Sequence, residues 1–333
     1  MIAQLDQDLV NLRPWLVPRR LLSHALFEGR PLTTGGQWLN PWLFRLFSVV
    51  QKIPLQKEVR KPIYILGTGR SGTTILGKLF HAHSHCGFLN EPKAMWHFIY
   101  PFEDLIGSYT RGKAFYRLKA DAATQEVRLR AHRLFSFYLF ATGAQRVVDK
   151  YPEMVFRVPF LRAIFPDARF VFIVRNGMDT LQSISMWSKG HQTHAGQETH
   201  DWWGVNQRKW QLLLEQVVAH DKELSPQLAE ISALTSQADM AAVEWVVTMH
   251  EGLHYFKTLP EAFHLVHYEE LVHNPEKHLA SLLDFCELPP SKEMLTYARN
   301  VLTLPPPKKL TTPHPILQPA FQKAMNEMGY VME

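Results

Sequence analysis

The chain has 333 residues, 46% of them hydrophobic and 20% charged, with a formal net charge of +5. This is ordinary globular composition, which excludes fibrous and disordered classes and leaves ample core for one large domain or two modest ones. Two cysteines, Cys86 and Cys286, cannot build a disulfide framework and point to a reducing compartment, while the mild positive excess suits an anionic ligand and equally a normal soluble surface.

The N-terminal stretch MIAQLDQDLVNLRPWLVPRR carries acids early and lacks the basic-then-apolar order of a signal peptide. No apolar run is long enough to span a bilayer, and PWLFRLFSVV is broken by Arg45. Residues 1–60 hold two Trp-Pro-rich patches that read as short helices and turns, an extension packed on the main fold. Within it, 41–55 mixes Trp, Phe and Leu with Arg45, Lys52 and Lys57, which also suits a helix lying on a membrane surface; packing on the core is the favoured reading. The expected location is cytoplasmic, with contact at the inner membrane surface left open.

The main domain is expected over 61–333. Ile63-Tyr64-Ile65-Leu66 is a short apolar run bounded by glycine, a buried strand, and TTILGKLFHAH from Thr73 has helical spacing. Helices follow over 121–141 and 152–165, the second perturbed at Pro159. Arg169-Phe-Val-Phe-Ile-Val174 is the strongest strand pattern, closed by Arg175-Asn-Gly, and a helix follows over 178–187. Long helical stretches occupy 200–220 and 239–258, with a third strand at Phe263-His-Leu-Val-His267. Asn274-Pro275 supplies an N-cap and first-turn proline for a helix through Phe285, and a last short helix lies near 318–328. Strands alternating with helices predict an α/β fold: a P-loop-NTPase-like three-layer arrangement with a central, mainly parallel sheet flanked by helices.

The stretch Y-I-L-G-T-G-R-S-G-T-T at 64–74 carries the chemistry. Gly67, Gly69 and Gly72 form a G-x-G-x-x-G; Gly67 and Gly72 also have Walker A spacing, with Thr73 where the lysine would stand. A glycine turn between strand and helix aims backbone N–H groups and the helix dipole at one point, and Arg70, Ser71, Thr73 and Thr74 add donors. A dinucleotide site needs a second strand ending in an acid about 20 residues on. Glu91 stands 19 residues after Gly72, but 81–87 does not read as a buried parallel strand, so that reading is set aside. A P-loop kinase needs the lysine and a magnesium-holding acid at another strand end; the strand 169–174 ends instead in Arg175, which repels a metal and attracts a phosphate. Two anion sites at two strand ends suit a nucleoside with phosphates at both ends, bound without metal.

These residues resemble the sulfotransferases that use 3′-phosphoadenosine 5′-phosphosulfate (PAPS). G-R-S-G-T-T at 69–74 is similar to that family's 5′-phosphosulfate loop, V-R-N-G-M-D-T-L-Q-S at 174–183 to its 3′-phosphate site, and V-H-Y-E-E-L-V-H-N-P at 266–275 to a further segment. The form looks closest to the branch of bacterial and tyrosylprotein sulfotransferases and covers roughly 61–330. The resemblance implies that Gly69, Arg70, Ser71, Gly72, Thr73 and Thr74 hold the 5′ end, that Arg175 and Ser183 hold the 3′-phosphate, and that Tyr268 contacts the nucleotide. It implies Glu91, 21 residues after Arg70, as catalytic base, with Arg70 and Lys150 stabilising the leaving oxygen and PAP as the product. There are departures: Trp187 stands where a second basic residue is expected, and Pro305-Pro306-Pro307-Lys308-Lys309 only loosely echoes a glycine-rich loop.

The implied acceptor is a hydroxyl on a carbohydrate, glycolipid or other small metabolite, with no nucleic-acid partner and no metal. His81, His83 and His85 alternate, and His191, His194, His200 and Asp201 cluster, but neither group has zinc-type spacing. His81, His83, His85 and His97 remain alternative bases. The aromatic segment 187–210 suits a lid or acceptor wall, through Trp202, Trp203 and Trp210, which equally suit a core. Two other readings stay open: a P-loop kinase, and a non-catalytic protein that binds a nucleotide or a membrane.

Overall fold

The computed structural model describes residues 2–31, 35–191, 193–195, 198–304 and 312–330. Its organising element is a five-stranded sheet made of β1 (Ile63–Gly67), β2 (Cys86–Asn90), β3 (Arg146–Lys150), β4 (Arg169–Val174) and β8 (Phe263–His267), in the order β2-β3-β1-β4-β8. Every pairing in it is parallel. A small antiparallel sheet of β5 (Thr193–Ala195), β6 (Glu198–Asp201) and β7 (Gly204–Val205) lies apart from it. Successive residues of a strand point to opposite faces, and β1 divides accordingly. Tyr64 and Leu66 join one hydrophobic cluster with Trp96, Phe135 and Trp245, while Ile63 and Ile65 join another with Leu76, Phe80, Leu282 and Tyr297. Helices thus cover both faces, in the three-layer α/β arrangement expected from the sequence.

Two strands went unread in the sequence. β2 is a buried parallel strand although the residues before it look polar: His81 belongs to the preceding helix Thr73–Ala82, and the strand itself starts only at Cys86. The grounds for setting aside the dinucleotide pattern were therefore wrong in this respect, since a second strand does end just before Glu91. β3 was obscured because three of its five residues, Arg146, Asp149 and Lys150, are charged, the last two being buried nonetheless. The helix expected over 200–220 is instead β6, β7 and a shorter helix, Arg208–Gln216. There the Asp201 carboxylate accepts from the Trp203 amide at 2.8 Å, and Gly204 has φ +79°, a turn chemistry that wins over helical spacing. Over 152–165 a 3-10 stretch Pro152–Arg157 runs into the helix Val158–Ile164, so Pro159 sits in a first turn rather than kinking an interior. Asn274 caps Pro275–Phe285 as anticipated, accepting from the Lys277 amide at 3.2 Å.

The N-terminal residues form the helices Gln7–Leu12, Val17–Ser23 and Asn40–Val50. Phe27, Leu43, Phe47 and Val50 enter the same core as Trp96, while Trp42 and Val49 face solvent. No helix among the described residues is long and apolar enough to cross a membrane. Arg20 and Glu28 form a buried two-pronged ion pair at 2.5 and 3.0 Å, and Glu28 Oε1 also accepts from the Asn90 amide at 2.7 Å. Burial works against charge on Glu28, but Arg20, His24 and the Asn90 amide hold its carboxyl below the ordinary range. Its contribution is therefore present above the unfolded carboxylate pKa of about 4.3 and is lost as pH falls through the lower folded value. Arg20→Met leaves Glu28 buried without its guanidinium and is expected to cost about 3 kcal/mol, measured as a lower urea midpoint at unchanged slope.

Candidate active site

Parallel strands bring their carboxyl ends to one edge of the sheet, and ligands of such folds bind there, where the strand order reverses around β1. Between β1 and the helix Thr73–Ala82, the loop carries Arg70 at φ 71° and Gly72 at φ 98°. Two close approaches make glycine necessary: a Cβ on Gly72 would lie 2.5 Å from the Tyr268 ring, and one on Gly69 2.3 Å from the Trp202 ring. Ser71 does not face the site. Its hydroxyl turns inward to the carbonyls of Thr68 at 2.6 Å and Ile173 at 3.3 Å, tying the loop to β4.

A cavity of about 420 Å³ opens beside this loop, within the size range of nucleotide and cofactor sites. Of the residues singled out in the sequence, Gly69, Arg70, Gly72, Thr73, Thr74, Glu91, Lys150, Arg175, Ser183 and Tyr268 all line it. Arg70 Nε donates to Ser183 Oγ at 3.2 Å, linking loop and helix Gly177–His191. Arg175 lies with its guanidinium 5.1 Å from the centre of the Tyr268 ring and pairs with Asp179 at 3.3 Å. Burial and the neighbouring Arg175 lower the Arg70 pKa, and Glu91 works the other way. Tyr268 in turn donates to the Thr303 carbonyl at 3.0 Å; the stretch 305–309 lies outside the described residues.

Glu91 sits at the hinge after β2 with φ 50°, its amide donating to the Lys150 carbonyl at 2.7 Å. Its carboxylate is gripped by two ammonium groups, Lys150 at 2.5 Å and Lys93 at 3.1 Å. Burial would raise the Glu91 pKa, but Lys150 and Lys93 outweigh it and hold the carboxyl far below the ordinary range. A second charged cluster continues the wall: Lys209 bridges Glu153 at 3.0 Å and Glu244 at 2.5 Å. Burial disfavours the Lys209 charge, yet these two carboxylates keep its pKa well above the ordinary lysine value.

Several lining residues escaped sequence reading: Asn90, Lys93, Glu153 and Lys209, while Asp201 was weighed there only as a metal ligand. Lys93 is two residues beyond Glu91 and could have been suspected; Lys209 offers no sequence signal, because only tertiary folding buries it beside two carboxylates. Of the aromatic segment, Trp187 and Trp202 line the cavity, and Trp202 Nε1 donates to Glu244 at 2.8 Å. Trp203 and Trp210 are core, edge to face at 5.5 Å. The alternative histidine bases lie elsewhere: burial pushes the His81 pKa down to about 3, His83 contacts the Pro289 carbonyl, and His97 stacks on Tyr109. Among the described residues, no group of three or more His, Cys, Asp or Glu is arranged to hold a metal ion.

The sequence profile of the sulfotransferase family matches residues 62–232 and 224–292 of this chain. An uncharacterized protein of Aquifex aeolicus is 21% identical over 249 residues, 72% of this chain but 27% of its own length, so the chain spans about a quarter of that relative. Among solved structures, the sulfotransferase domain from the curacin biosynthetic pathway is 14% identical with a TM-score of 0.46, covering 83% of this chain and 100% of its own. A sulfotransferase of Mycobacterium tuberculosis is 16% identical with a TM-score of 0.47, covering 88% and 87%. A mouse sulfotransferase complexed with PAP is 12% identical with a TM-score of 0.39, covering 85% and 87%. With the profile matching well over half of its length, the chain belongs to the sulfotransferase family.

Proposed function

We propose that this protein transfers the sulfonate group of PAPS to an acceptor hydroxyl. The observation that carries the reading is the charge of one cavity at the sheet edge. Arg70, Lys93, Lys150, Arg175 and Lys209 line it against the acids Glu91, Glu153 and Asp201, five positive groups to three negative. Such a wall suits a ligand with anionic groups at both ends, and the open amides at the start of helix Thr73–Ala82 add to it. With Thr73 where a kinase would carry lysine, and cations rather than an acid at the ends of β3 and β4, the donor set favours a bisphosphate nucleotide over magnesium-ATP.

PAPS supplies an activated sulfonate on a phosphate leaving group; the residues of this chain bind, align and manage protons. The loop 69–74 would hold the 5′ end, and Arg175 with Ser183 the 3′-phosphate, so that binding far from the reacting centre fixes its orientation. Arg70 and Lys150 would offset charge that builds on the leaving oxygen. Glu91 is the proposed general base. Gripped by two lysines it is ionised, hence able to accept a proton, but too weakly basic to do so well. An arriving anion competes for the Lys150 ammonium, and Glu91 gains basicity to the extent that this contact loosens. Lys150 thus links donor binding to activation of the base.

Calorimetry on the purified protein is expected to give micromolar-range binding of 3′,5′-adenosine bisphosphate, unchanged by removing magnesium; strict dependence on magnesium would reverse the reading in favour of a kinase. Glu91→Gln should retain that binding while PAP release falls about 10²- to 10⁴-fold; near-wild-type turnover would remove Glu91 as base. The pH profile carries the sign of the lysine grip. In the free enzyme the Glu91 pKa lies far below the ordinary range, so kcat/KM should hold flat as pH falls to about 5, whereas the acid limb of kcat, which reports the bound state, should lie at higher pH.

A further inference from the structure

A second cavity, of about 560 Å³, adjoins the first and shares Gln4, Pro31, Asn90, Glu91, Lys93 and Trp187 with it. Its remaining wall comes largely from the N-terminal segment, including His24, Glu28 and Arg30, with His191 at the end of the helix Gly177–His191. None of those three N-terminal residues falls within the stretch matched by the family profile, which starts at residue 62. The wall is nonetheless registered against the site. The buried Arg20–Glu28 pair holds the Asn90 amide, one residue before Glu91, at 2.7 Å. Next to it, Gly29 at φ 76° passes so close to the helix Lys93–Ile99 that a Cβ would lie 2.3 Å from that of Ala94.

The lining selects among acceptors. Among the described residues, the aliphatic side chains of this wall are Ala3 and Pro31, little for a lipid chain, whose binding depends on apolar burial. The aromatic surface is a flat pair, Trp187 and His191, stacked at 4.6 Å and 4°. Around it stand charged and amide side chains: Gln4, His24, Arg30, Asn90 and Lys93. A ring face for C–H edges, surrounded by donors and acceptors, fits a polyhydroxylated ring. We propose that this second cavity is the acceptor site and that it takes a saccharide, presenting one hydroxyl to Glu91. The inference rests on the sulfonate-transfer reading above. In the step, the acceptor oxygen forms the new S–O bond and its proton passes to the Glu91 carboxylate. The S–O bond to the 5′-phosphate breaks, its electron pair leaving with PAP.

The test uses the full chain, donor labelled in its sulfonate, and a panel of mono- and disaccharides, 4-nitrophenol, N-acetyltyrosinamide and dodecanol. Label is expected on a saccharide. Arg30 and His191 line the second cavity and not the first, so Arg30→Ala and His191→Ala should each raise the saccharide KM by about tenfold with PAP affinity unchanged. Label on the phenol, the tyrosine derivative or dodecanol alone, or on nothing although PAP binds, overturns the proposal, as does an unchanged KM in both variants. Failure to bind PAP at all is a different result: it removes the sulfonate-transfer reading, and this inference with it.

Discussion

All five strands of the main sheet run in one direction, and the site depends on that constraint. Parallel pairing puts the carboxyl ends of β1, β2, β3 and β4 on a single edge, where Gly67, Asn90, Lys150 and Val174 end their strands within one neighbourhood. Residues far apart in the chain then need only one further step to meet. Glu91 follows β2, Lys150 closes β3, Arg175 follows β4, and the glycine loop follows β1. An antiparallel sheet of the same sequence would scatter these groups between two edges.

Bringing so many charges together has an electrostatic cost that the wall meets by pairing. Lys150 and Lys93 share Glu91, and Lys209 is held by Glu153 and Glu244. Desolvated ions of this kind are tolerated because each has an opposite charge at contact distance. Those three lysines and three glutamates balance one another, so what makes the cavity receptive to an anion is the further pair Arg70 and Arg175. The Glu91 contact has a double consequence: it keeps the carboxylate ionised and, while it lasts, suppresses its basicity. Trp202 lies over Gly69 and donates to Glu244, so the small sheet of β5 to β7 is joined to the same wall through one aromatic ring.

The N-terminal residues are more than a covering. Their apolar side chains enter the core beside Trp96, and the deeply buried Arg20–Glu28 ion pair ends on the amide before Glu91. A segment outside the matched family region thereby shapes the second cavity and steadies the residue between the two chambers.

The strands β1, β4 and β8, the capped helix at Asn274 and the glycine loop after β1 were legible in the sequence. Each is a local pattern: apolar period, cap residue, glycine spacing. β2 and β3 were not, because edge and charged strands hide their period behind residues whose burial is decided by distant partners, Trp96 donating to Asp149 and Glu91 meeting Lys150. Ser71 belonged to the right motif, yet its hydroxyl serves the loop's own geometry, a direction no spacing encodes. The sequence by itself determined the fold class, the family and many of the residues that line the first cavity, since these lie in contiguous motifs. Only the tertiary structure decided which charges neutralise one another, which tryptophans are wall and which are core, and that N-terminal residues such as Gln4, Arg30 and Pro31 border the site. Those outcomes depend on through-space contact and burial, which linear order does not carry.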